Sequence, residues 1–379
     1  MRILHVSEVH WGGVVSLLAE FTAEQVKGGH DVHVLAPPMD VTLAGSSHHW
    51  SLVRERPTTY ARSLLELRRL VDDLAPDVIH LHSFIAGFFG RLPGPGVLRP
   101  STAVVYQPHA WSFDLFQLRG VGTMIRWWER RASRRTDMLV ANCQDEIDEG
   151  RSVGIDTPAE PLGVAVRTDQ FVPVNVQQRT ELRRQLGVSH RHVLLCVGRL
   201  ARQKGQDQLV AAWEASPIPD AQLVLAGPGD ASPLSNLAPS EWGRSITCIG
   251  ENHQIATWMA ASDLLVLPSR YETVAVVVAE SLACGRPVIA TDVNGVREAL
   301  TDPPHPPAGA VVALGDMSAL LGEAGKRLAN RDLAEREGRA GRQRALALFE
   351  PEQVAHRLDS AYTKASGLAT TRQSKEVRA

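Results

Sequence analysis

Two carboxylates stand eight residues apart in the segment YETVAVVVAESLACG, residues 271–285. In a β-strand Glu272 and Glu280 would lie roughly 26 Å apart, since a strand rises about 3.3 Å per residue. In a helix they would lie roughly 12 Å apart, at about 1.5 Å per residue. The shorter span matches the reach from a hexose, past a diphosphate, to a ribose. We therefore expect Glu280 on a helix and Glu272 in the loop before it, both accepting hydrogen bonds from sugar hydroxyls.

The flanking residues favour this helix over the preference of valine for strands. Pro268 ends a strand-like run, Gly285 stands where a helix would stop, and Pro287 precedes the next apolar run. A side-chain hydroxyl before the helix can cap it, and the first N–H groups would face the phosphates of a ligand. The residues assigned to this cap and first turn are Thr273, Val274, Ala275 and Val276.

A second candidate phosphate site is the segment LCVGRLARQKGQ, residues 195–206. An apolar run ends at Gly198, and Arg199 and Lys204 follow it before the next predicted helix. A planar guanidinium and a compact ammonium suit a diphosphate, and the helix adds its positive end. Solvated loop charges are the commoner fate of any single arginine or lysine, so this segment indicates a site only together with the others.

The N-terminal turn EVHWGGVVSLL places Gly12 and Gly13 between a predicted strand and a predicted helix. Glycines there would let a phosphate or a sugar approach the backbone N–H groups. The third glycine of the dinucleotide-binding fingerprint is missing. A tight structural turn explains the pair equally well.

Two histidines follow predicted strands, His82 in HLHS and His109 in YQPHAWSFD. Histidine suits proton transfer or a polar contact near neutral pH. The chain has 14 histidines, so a single one is more often structural. Of the two, His109 is the better candidate, because a proline precedes it and places it on a loop.

The segment at residues 115–135 holds six arginines against one glutamate, interleaved with tryptophans. Arg126, Trp127, Trp128 and Arg130 could contact an anionic lipid surface or an acceptor. A helix that packs its tryptophans inward and solvates its arginines explains the pattern equally well.

These candidates need a scaffold, and the apolar pattern predicts two doubly wound α/β domains. Strands are expected at residues 3–6, 31–35, 78–81, 103–106 and 138–141, and again at 193–197, 222–226, 246–249, 264–267 and 288–290, with helices between them, including 14–27 and 206–215. Alternating strands and helices predict parallel sheets covered on both faces. Two such domains would face each other across a cleft, with ligands at the carboxyl ends of the strands.

The predicted domains are residues 1–170 and 171–350, with the join inside 162–186, where the apolar pattern lapses. A last helix at 351–368 is expected to pack back on the first domain, before a flexible tail at 369–379. A chain of 379 residues is long enough for two cores.

Composition excludes several other classes. The net charge of −2 gives no global field for nucleic acid or membrane, so nucleic acid is not expected as a partner. The four cysteines are far apart, without metal-site spacing, and indicate buried thiols in a reducing cytoplasm. The first residues, MRILHVSEV, lack the features of a signal peptide, and no apolar run approaches a membrane span.

Together these motifs resemble the retaining glycosyltransferases of family 4, which have the GT-B fold. The resemblance rests on the Glu-x7-Glu pair Glu272/Glu280, on VGRLARQKG, on LVLAGPGD with Gly227, on the Gly12-Gly13 turn and on His109. It covers about the whole chain and, through HLHSFIAGFFGR and VVYQPHAWSF, is nearest to enzymes that build cell-surface or exopolysaccharides. It implies a nucleotide-sugar donor, a saccharide or lipid-linked saccharide acceptor, no metal ion and no cofactor. The lipid link is expected from the arginine and tryptophan segment together with this subtype. The place of action implied is the cytoplasm, at the inner face of the membrane.

The resemblance also implies roles. Arg199 and Lys204 would neutralise the departing diphosphate, and Glu272 would bind hydroxyls of the transferred sugar. Glu280 would hold the ribose, and His109 would contact the donor sugar and its developing charge. Retention would follow from front-face attack, with the leaving phosphate accepting the acceptor proton.

Three alternatives stay open at this stage. One is transfer to a small soluble acceptor such as a natural product, which predicts turnover without lipid. A GT-B epimerase or phosphorylase is the second, and phosphate-dependent sugar release would identify the phosphorylase. A sugar-nucleotide-binding module without catalysis is the third, and it has no need of both Glu272 and His109.

Overall fold

The structure is a computed structural model that describes residues 1–93, 99–115, 120–272 and 275–378. The chain divides into two compact units. Unit 1 comprises Met1–Ala165 and Pro351–Ala379, and unit 2 comprises Val166–Glu350. The boundary predicted at residue 170 therefore lies a few residues inside unit 2.

Unit 1 is built on a seven-stranded parallel sheet in the order β3-β2-β1-β4-β5-β6-β7. Its strands are β1 Arg2–Ser7, β2 Asp31–Ala36, β3 Ser46–His49, β4 Val78–His82, β5 Ala103–Gln107, β6 Met138–Ala141 and β7 Ala159–Pro161. Its helices are α1 Gly13–Lys27, α2 Tyr60–Leu74, α3 Ser83–Gly90, α4 Ser112–Leu115, α5 Val121–Ser133 and α6 Gln144–Ser152, followed after unit 2 by the closing helix Pro351–Arg378.

The central strands of unit 1 are apolar on both faces, as a covered parallel sheet requires. Along β5, Val104 and Tyr106 belong to one core cluster, and Ala103 and Val105 belong to the cluster on the other face, because successive side chains of a strand alternate. The edge strand β3 has the sequence SSHH and is largely exposed. It pairs with β2 through its backbone and carries no apolar pattern, so the sequence does not predict it.

The closing helix completes the core of unit 1 on one face of the sheet. It buries Val354, Leu358, Tyr362 and Ala369 among other residues and packs against β5 and α1. The sequence predicts that it ends at residue 368 and leaves a flexible tail. In the structure the helix continues to Arg378, and Arg372 is ion-paired with Asp137 at 2.8 Å.

Unit 2 contains a six-stranded parallel sheet in the order β10-β9-β8-β11-β12-β13. Its strands are β8 His192–Val197, β9 Ala221–Ala226, β10 Ile246–Cys248, β11 Leu264–Leu267, β12 Val288–Thr291 and β13 Gly309–Val312. Its helices are α7 Val176–Gln185, α8 Gln206–Ala215, α9 Ser232–Ser235, α10 Ile255–Ala261, α11 Val276–Ala283, α12 Val296–Leu300, α13 Met317–Ala329 and α14 Arg331–Leu348.

Both sheets reverse their winding direction once. In unit 1 the reversal lies between β1 and β4, and in unit 2 it lies between β8 and β11. Ligands of open α/β sheets bind outside the carboxyl ends of the strands at such a reversal. At the first reversal Gly12 follows β1 and His82 is the last residue of β4, and at the second Gly198 follows β8 and Pro268 follows β11. The candidate residues therefore stand where this rule predicts a site.

Two further sequence expectations concern membranes and thiols. No helix within the described part of the chain is both long enough and apolar enough to cross a bilayer. Cys143, Cys196 and Cys284 are buried, as predicted, whereas Cys248 is only partly buried.

Candidate functional site

Two glycine loops meet at the carboxyl ends of β8 and β9. Gly198 has φ +154° and Gly227 has φ +147°, and Gly198 N donates to Ala226 O at 2.8 Å. A Cβ added to Gly227 would collide with the carbonyl of Gly198, so a side chain at position 227 would push these loops apart. Gln206 holds the first loop by donating to the carbonyls of Gly198 and Arg199, each at 3.1 Å. Arg199 is exposed next to this bend.

Lys204 and Glu272 are brought together in unit 2. The Lys204 Nζ lies 2.7 Å from Glu272 Oε1, and Ser269 Oγ donates to the same oxygen at 2.7 Å. The side chain of Glu272 is only 6 % exposed and that of Lys204 21 %. The ammonium and the hydroxyl thus fix one buried carboxylate oxygen and leave Glu272 Oε2 to other partners. Sequence reasoning missed Ser269, although a serine two residues after a strand and three residues before Glu272 could have indicated it.

Glu280 lies on a helix, as predicted. Helix α11 begins at Val276 and ends at Ala283, and Gly285 follows with φ +64°. Burial raises the pKa of Glu280 to about 7, so its carboxyl is half-protonated near neutral pH. A carboxyl in this state can gain a strong pair of hydrogen bonds from a vicinal diol when it ionises.

Helix α11 begins after Ala275, its N-cap residue, whose side chain makes no capping hydrogen bond. Thr273 was expected to cap this helix. Thr273 and Val274 themselves lie outside the described residues. Val278 N donates to Ala275 O at 2.9 Å, and among the described residues the N–H groups of Val276 and Val277 are left to an anionic group.

In unit 1, His109 ends a chain of hydrogen-bonded imidazoles. His109 Nε2 lies 3.0 Å from His82 Nδ1, and His82 Nε2 lies 2.9 Å from His5 Nδ1. His5 Nε2 in turn lies 2.8 Å from Gln25 Oε1. With the Gln25 carbonyl as acceptor, each of the three rings donates through Nε2.

Burial keeps this histidine chain neutral. It lowers the pKa of His5 to about 4 and that of His109 to about 3, the latter against a smaller opposing effect of a hydrogen bond with Asn142. The pKa of His82 lies well below its usual value for the same reason. At neutral pH the ring of His109 is therefore uncharged. It can form hydrogen bonds, but it does not act as a general acid. The backbone holds His109 at the end of the histidine chain. His109 has φ +53°, and the N–H of the next residue, Ala110, donates to Glu146 Oε1 at 2.7 Å.

A third histidine lies beside this chain. Ring nitrogens of His5, His80 and His82 lie within 4.8 Å of one another, a spacing that a metal ion could bridge. His80 Nδ1 is already 2.8 Å from the hydroxyl of Tyr362, and His80 Nε2 has no hydrogen-bond partner within the described ranges. Chelation by all three would break the bonds that orient His109. The sequence did not predict this cluster.

The glycine turn of unit 1 opens helix α1. Gly12 is the N-cap residue with φ +78°, and no side chain of the described residues caps the helix that Gly13 begins. A Cβ at Gly12 would meet nothing within 4 Å, so conformation and not crowding requires glycine there. The buried Glu8 lies just before this turn and accepts from the N–H groups of Ile85 and Ala86 at 2.9 and 3.1 Å, which ties α3 to the end of β1.

The arginine and tryptophan segment forms helix α5, and its two tryptophans differ. Trp128 is half-buried and packs on Phe88, with ring centroids 4.7 Å apart. Trp127 is 64 % exposed, and so is its neighbour Met124 at 63 %. Arg126 and Arg130 are also exposed on this helix. The inward packing is thus observed for Trp128, whereas the contact of Trp127 with a lipid surface or an acceptor stays a prediction.

Comparison with known proteins agrees with this architecture. The family model described as Glycosyltransferase Family 4 matches residues 11–170, and the one described as Glycosyl transferases group 1 matches residues 191–330. The putative glycosyltransferase EpsD of Bacillus subtilis is 27 % identical over 78 % of this chain and 80 % of its own. The putative teichuronic acid biosynthesis glycosyltransferase TuaC of the same organism is 30 % identical over 59 % of this chain and 55 % of its own.

Among solved structures, the sucrose-phosphate synthase of Thermosynechococcus elongatus superposes with a TM-score of 0.80. The superposition covers 96 % of this chain and 98 % of that one at 21 % identity, which shows a common fold. Two family models in the expected order and two Rossmann-like parallel-sheet units lead to one conclusion. The chain belongs to the family 4 type of glycosyltransferases and has the GT-B fold.

Proposed function

We propose that this glycosyltransferase moves a sugar from a nucleotide-sugar donor to a lipid-linked saccharide acceptor in cell-surface or exopolysaccharide biosynthesis, with retention of anomeric configuration. The observation that carries the proposal is the Lys204–Glu272–Ser269 constellation beside the winding reversal of unit 2. A cation and a carboxylate, both partly desolvated, lie there shortly before helix α11, whose N-cap residue Ala275 makes no side-chain capping bond. The relative TuaC, named for teichuronic acid biosynthesis, supports the polysaccharide context.

Each residue has one role in this proposal. Arg199 and Lys204 stabilise the charge of the departing diphosphate, and Glu272 accepts hydrogen bonds from the transferred sugar. Glu280 holds the ribose, and the neutral imidazole of His109 contacts the donor sugar. The two cations take the part that a metal ion plays in other transferases, so the reaction needs no metal.

The donor and the metal requirement can be tested directly. A thermal-shift screen of nucleoside diphosphates and sugar nucleotides should show one donor raising the melting temperature, because a ligand that binds the folded state stabilises it. Transfer with that donor should survive removal of divalent metal by EDTA. NMR of the product should show the anomeric configuration of the donor, and an inverted product would contradict the retaining assignment.

The role of Glu272 has a matched control in the same unit. Glu272→Ala should abolish transfer and leave nucleotide binding measurable, whereas Glu251→Ala removes an exposed carboxylate and should change neither. Transfer that survives unchanged in Glu272→Ala would remove this residue from the mechanism.

The lipid-linked acceptor rests on the exposed apolar side chains of α5. Met124 and Trp127 stand beside exposed arginines, the combination that binds an anionic bilayer surface. Sedimentation with anionic vesicles should bring down the protein, and Trp127→Ala should weaken this binding more than Trp11→Ala, which removes a tryptophan that is 59 % exposed elsewhere in unit 1. Absence of binding to neutral and anionic vesicles, together with turnover of a water-soluble acceptor, would replace the lipid-linked acceptor by a soluble one.

A further inference from the structure

A large cavity lies in unit 2 at the amino ends of its central strands. It has a volume of about 750 Å³ and is bounded by the residues that begin β8 and β11, His192 and Leu264, and by Pro287 just before β12. The residues assigned to the donor follow the opposite, carboxyl ends of β8 and β11. A six-residue strand separates the two edges by about 20 Å, so the cavity is not part of the donor site.

The lining of this cavity is strongly basic. Eight arginines line it against two carboxylates, Asp263 and Glu335. Asp263 is shared by Arg179 at 3.2 Å and Arg183 at 2.8 Å, and Glu335 is shared by two further arginines on α14. Each carboxylate thus faces two guanidinium groups, which leaves a surplus of positive charge directed at the cavity.

Some of these arginines have a structural function. Arg342 donates to the carbonyls of Thr168, Phe171 and Ala283 at 2.9 to 3.2 Å, and Arg327 is paired with Glu337 at 2.7 Å. Such arginines fasten loops and helices, and they need no ligand to explain them.

Arg286 differs from these arginines. It is 9 % exposed, and its only side-chain hydrogen bonds within the described residues are long ones to the carbonyls of Cys284 and Val174, at 3.3 and 3.4 Å. No carboxylate of the described chain forms an ion pair with it. Burial and then the neighbouring Arg179 lower its pKa to about 10. A buried guanidinium among other cations, without an anion, is costly unless a bound anion completes the site.

Two exposed arginines, Arg191 and Arg339, lie at the rim of the cavity. Among the described residues, Arg339 has a single carboxylate contact, at 3.8 Å to Glu335. The side chain of Arg191 has no hydrogen-bond or ion-pair partner in the part of the chain that the structure describes. Guanidinium forks bind phosphate oxygens in pairs, and several forks around one cavity require a ligand with several phosphate groups.

We infer that this cavity is a second anion site, separate from the donor site, which binds a small soluble molecule carrying two or more phosphate groups. A volume of this size lies within the range of small-molecule sites. Because the ligand bridges α7, α14 and the loop at Arg286, its binding stabilises unit 2 from the edge opposite the donor.

Titration calorimetry of the full-length protein with inorganic pyrophosphate and tripolyphosphate tests this inference. The wild type should show two binding events, one of which disappears in the Arg199→Ala/Lys204→Ala variant because it belongs to the donor site. The other should persist in that variant and weaken about tenfold or more in Arg286→Gln, since a hydrogen bond to a charged group is worth at least that factor.

A variant with substitutions on the protein surface provides a second test in case Arg286→Gln does not fold. The double variant Arg191→Gln/Arg339→Gln changes only exposed side chains and should weaken the same event by a similar factor. Arg336→Gln is its matched control, on the same helix and exposed but outside the cavity, and should bind as the wild type does. A single event that is lost with Arg199 and Lys204 and unaltered by the cavity variants would overturn the inference, and would leave the proposed transferase reaction standing.

Discussion

The carboxyl of Glu280 makes the stability of the protein depend on pH in a direction that can be measured. Burial raises its pKa from 4.5 to about 7, and no hydrogen bond of the described residues offsets this effect. In the unfolded chain the carboxyl ionises at its ordinary pKa. Replacement by glutamine keeps the size of the side chain and removes the ionisation, so Glu280→Gln isolates the cost of the buried charge.

The magnitude follows from the two pKa values. Their separation corresponds to about 3 kcal/mol, at about 1.4 kcal/mol per pH unit, and Glu280 is half-buried, so this figure is an upper value. Because the folded pKa is the higher one, the folded state holds the proton more tightly. The cost is absent below pH 4.5, grows as the pH rises, and is complete above pH 7.

The assay is urea unfolding of wild type and Glu280→Gln between pH 4.5 and about pH 8. The two proteins should be equally stable at the acid end, and the variant should be more stable by up to about 3 kcal/mol at the alkaline end. Glu251→Gln, which replaces an exposed carboxylate, should show no such divergence. A difference that is constant across the range, or a variant that is less stable near pH 8, would refute the reasoning.

The same group predicts a pH dependence of donor binding, if it holds the ribose as an ionised carboxylate. The ionised fraction of a group with pKa 7 falls about tenfold between pH 8 and pH 6, and the affinity should fall with it. A sugar nucleotide is the right ligand, since its diphosphate does not titrate in this range. Glu280→Gln should bind more weakly and lose the pH dependence.

Three further substitutions test the packing. Arg91→Met should destabilise unit 1 by about 3 to 5 kcal/mol in urea unfolding, because it removes the ion-pair partner of Glu129. Both side chains of this pair are only 1 % exposed. A loss below about 1 kcal/mol would contradict this expectation. Gly309→Ala should prevent unit 2 from folding by circular dichroism, since its Cβ would collide with the backbone of Val288; a folded variant would show that β12 and β13 can separate. Gly322→Ala, within α13 and with nothing near its Cβ, should instead raise stability by about 0.5 to 1 kcal/mol.

The sequence predicts the strands and helices whose apolar residues are also the residues buried in the structure. The strands β6 and β11 begin and end where the apolar pattern places them, because both faces of the sheet are covered. Helix α11 was predicted against the strand preference of its valines, since Pro268 and Gly285 bound it. The exposed strand β3 was not predicted, since polar side chains on an edge carry no periodic signal.

The candidate site was predictable only where its residues are neighbours in sequence or share a motif. Glu272 and Lys204 were found by motif, and their direct contact was not. The histidine chain was missed because it depends on strand order: His5 lies beside His80 only since β1 pairs with β4. The cavity around Arg286 was missed for the same reason, because its arginines come from α7, α13, α14 and the loops before β8 and β12.

The closing helix has a consequence for the order in which the two units can be completed. Unit 2 is an insertion whose ends meet, with Val166 N donating to Phe349 O at 2.8 Å, so all of its strands leave the ribosome before the closing helix does. Unit 1 begins synthesis first, yet the face that receives Tyr362 stays uncovered until unit 2 has been made. His80, which bonds to Tyr362, therefore acquires its native environment last. During translation the first unit to be made is the last one that can be finished.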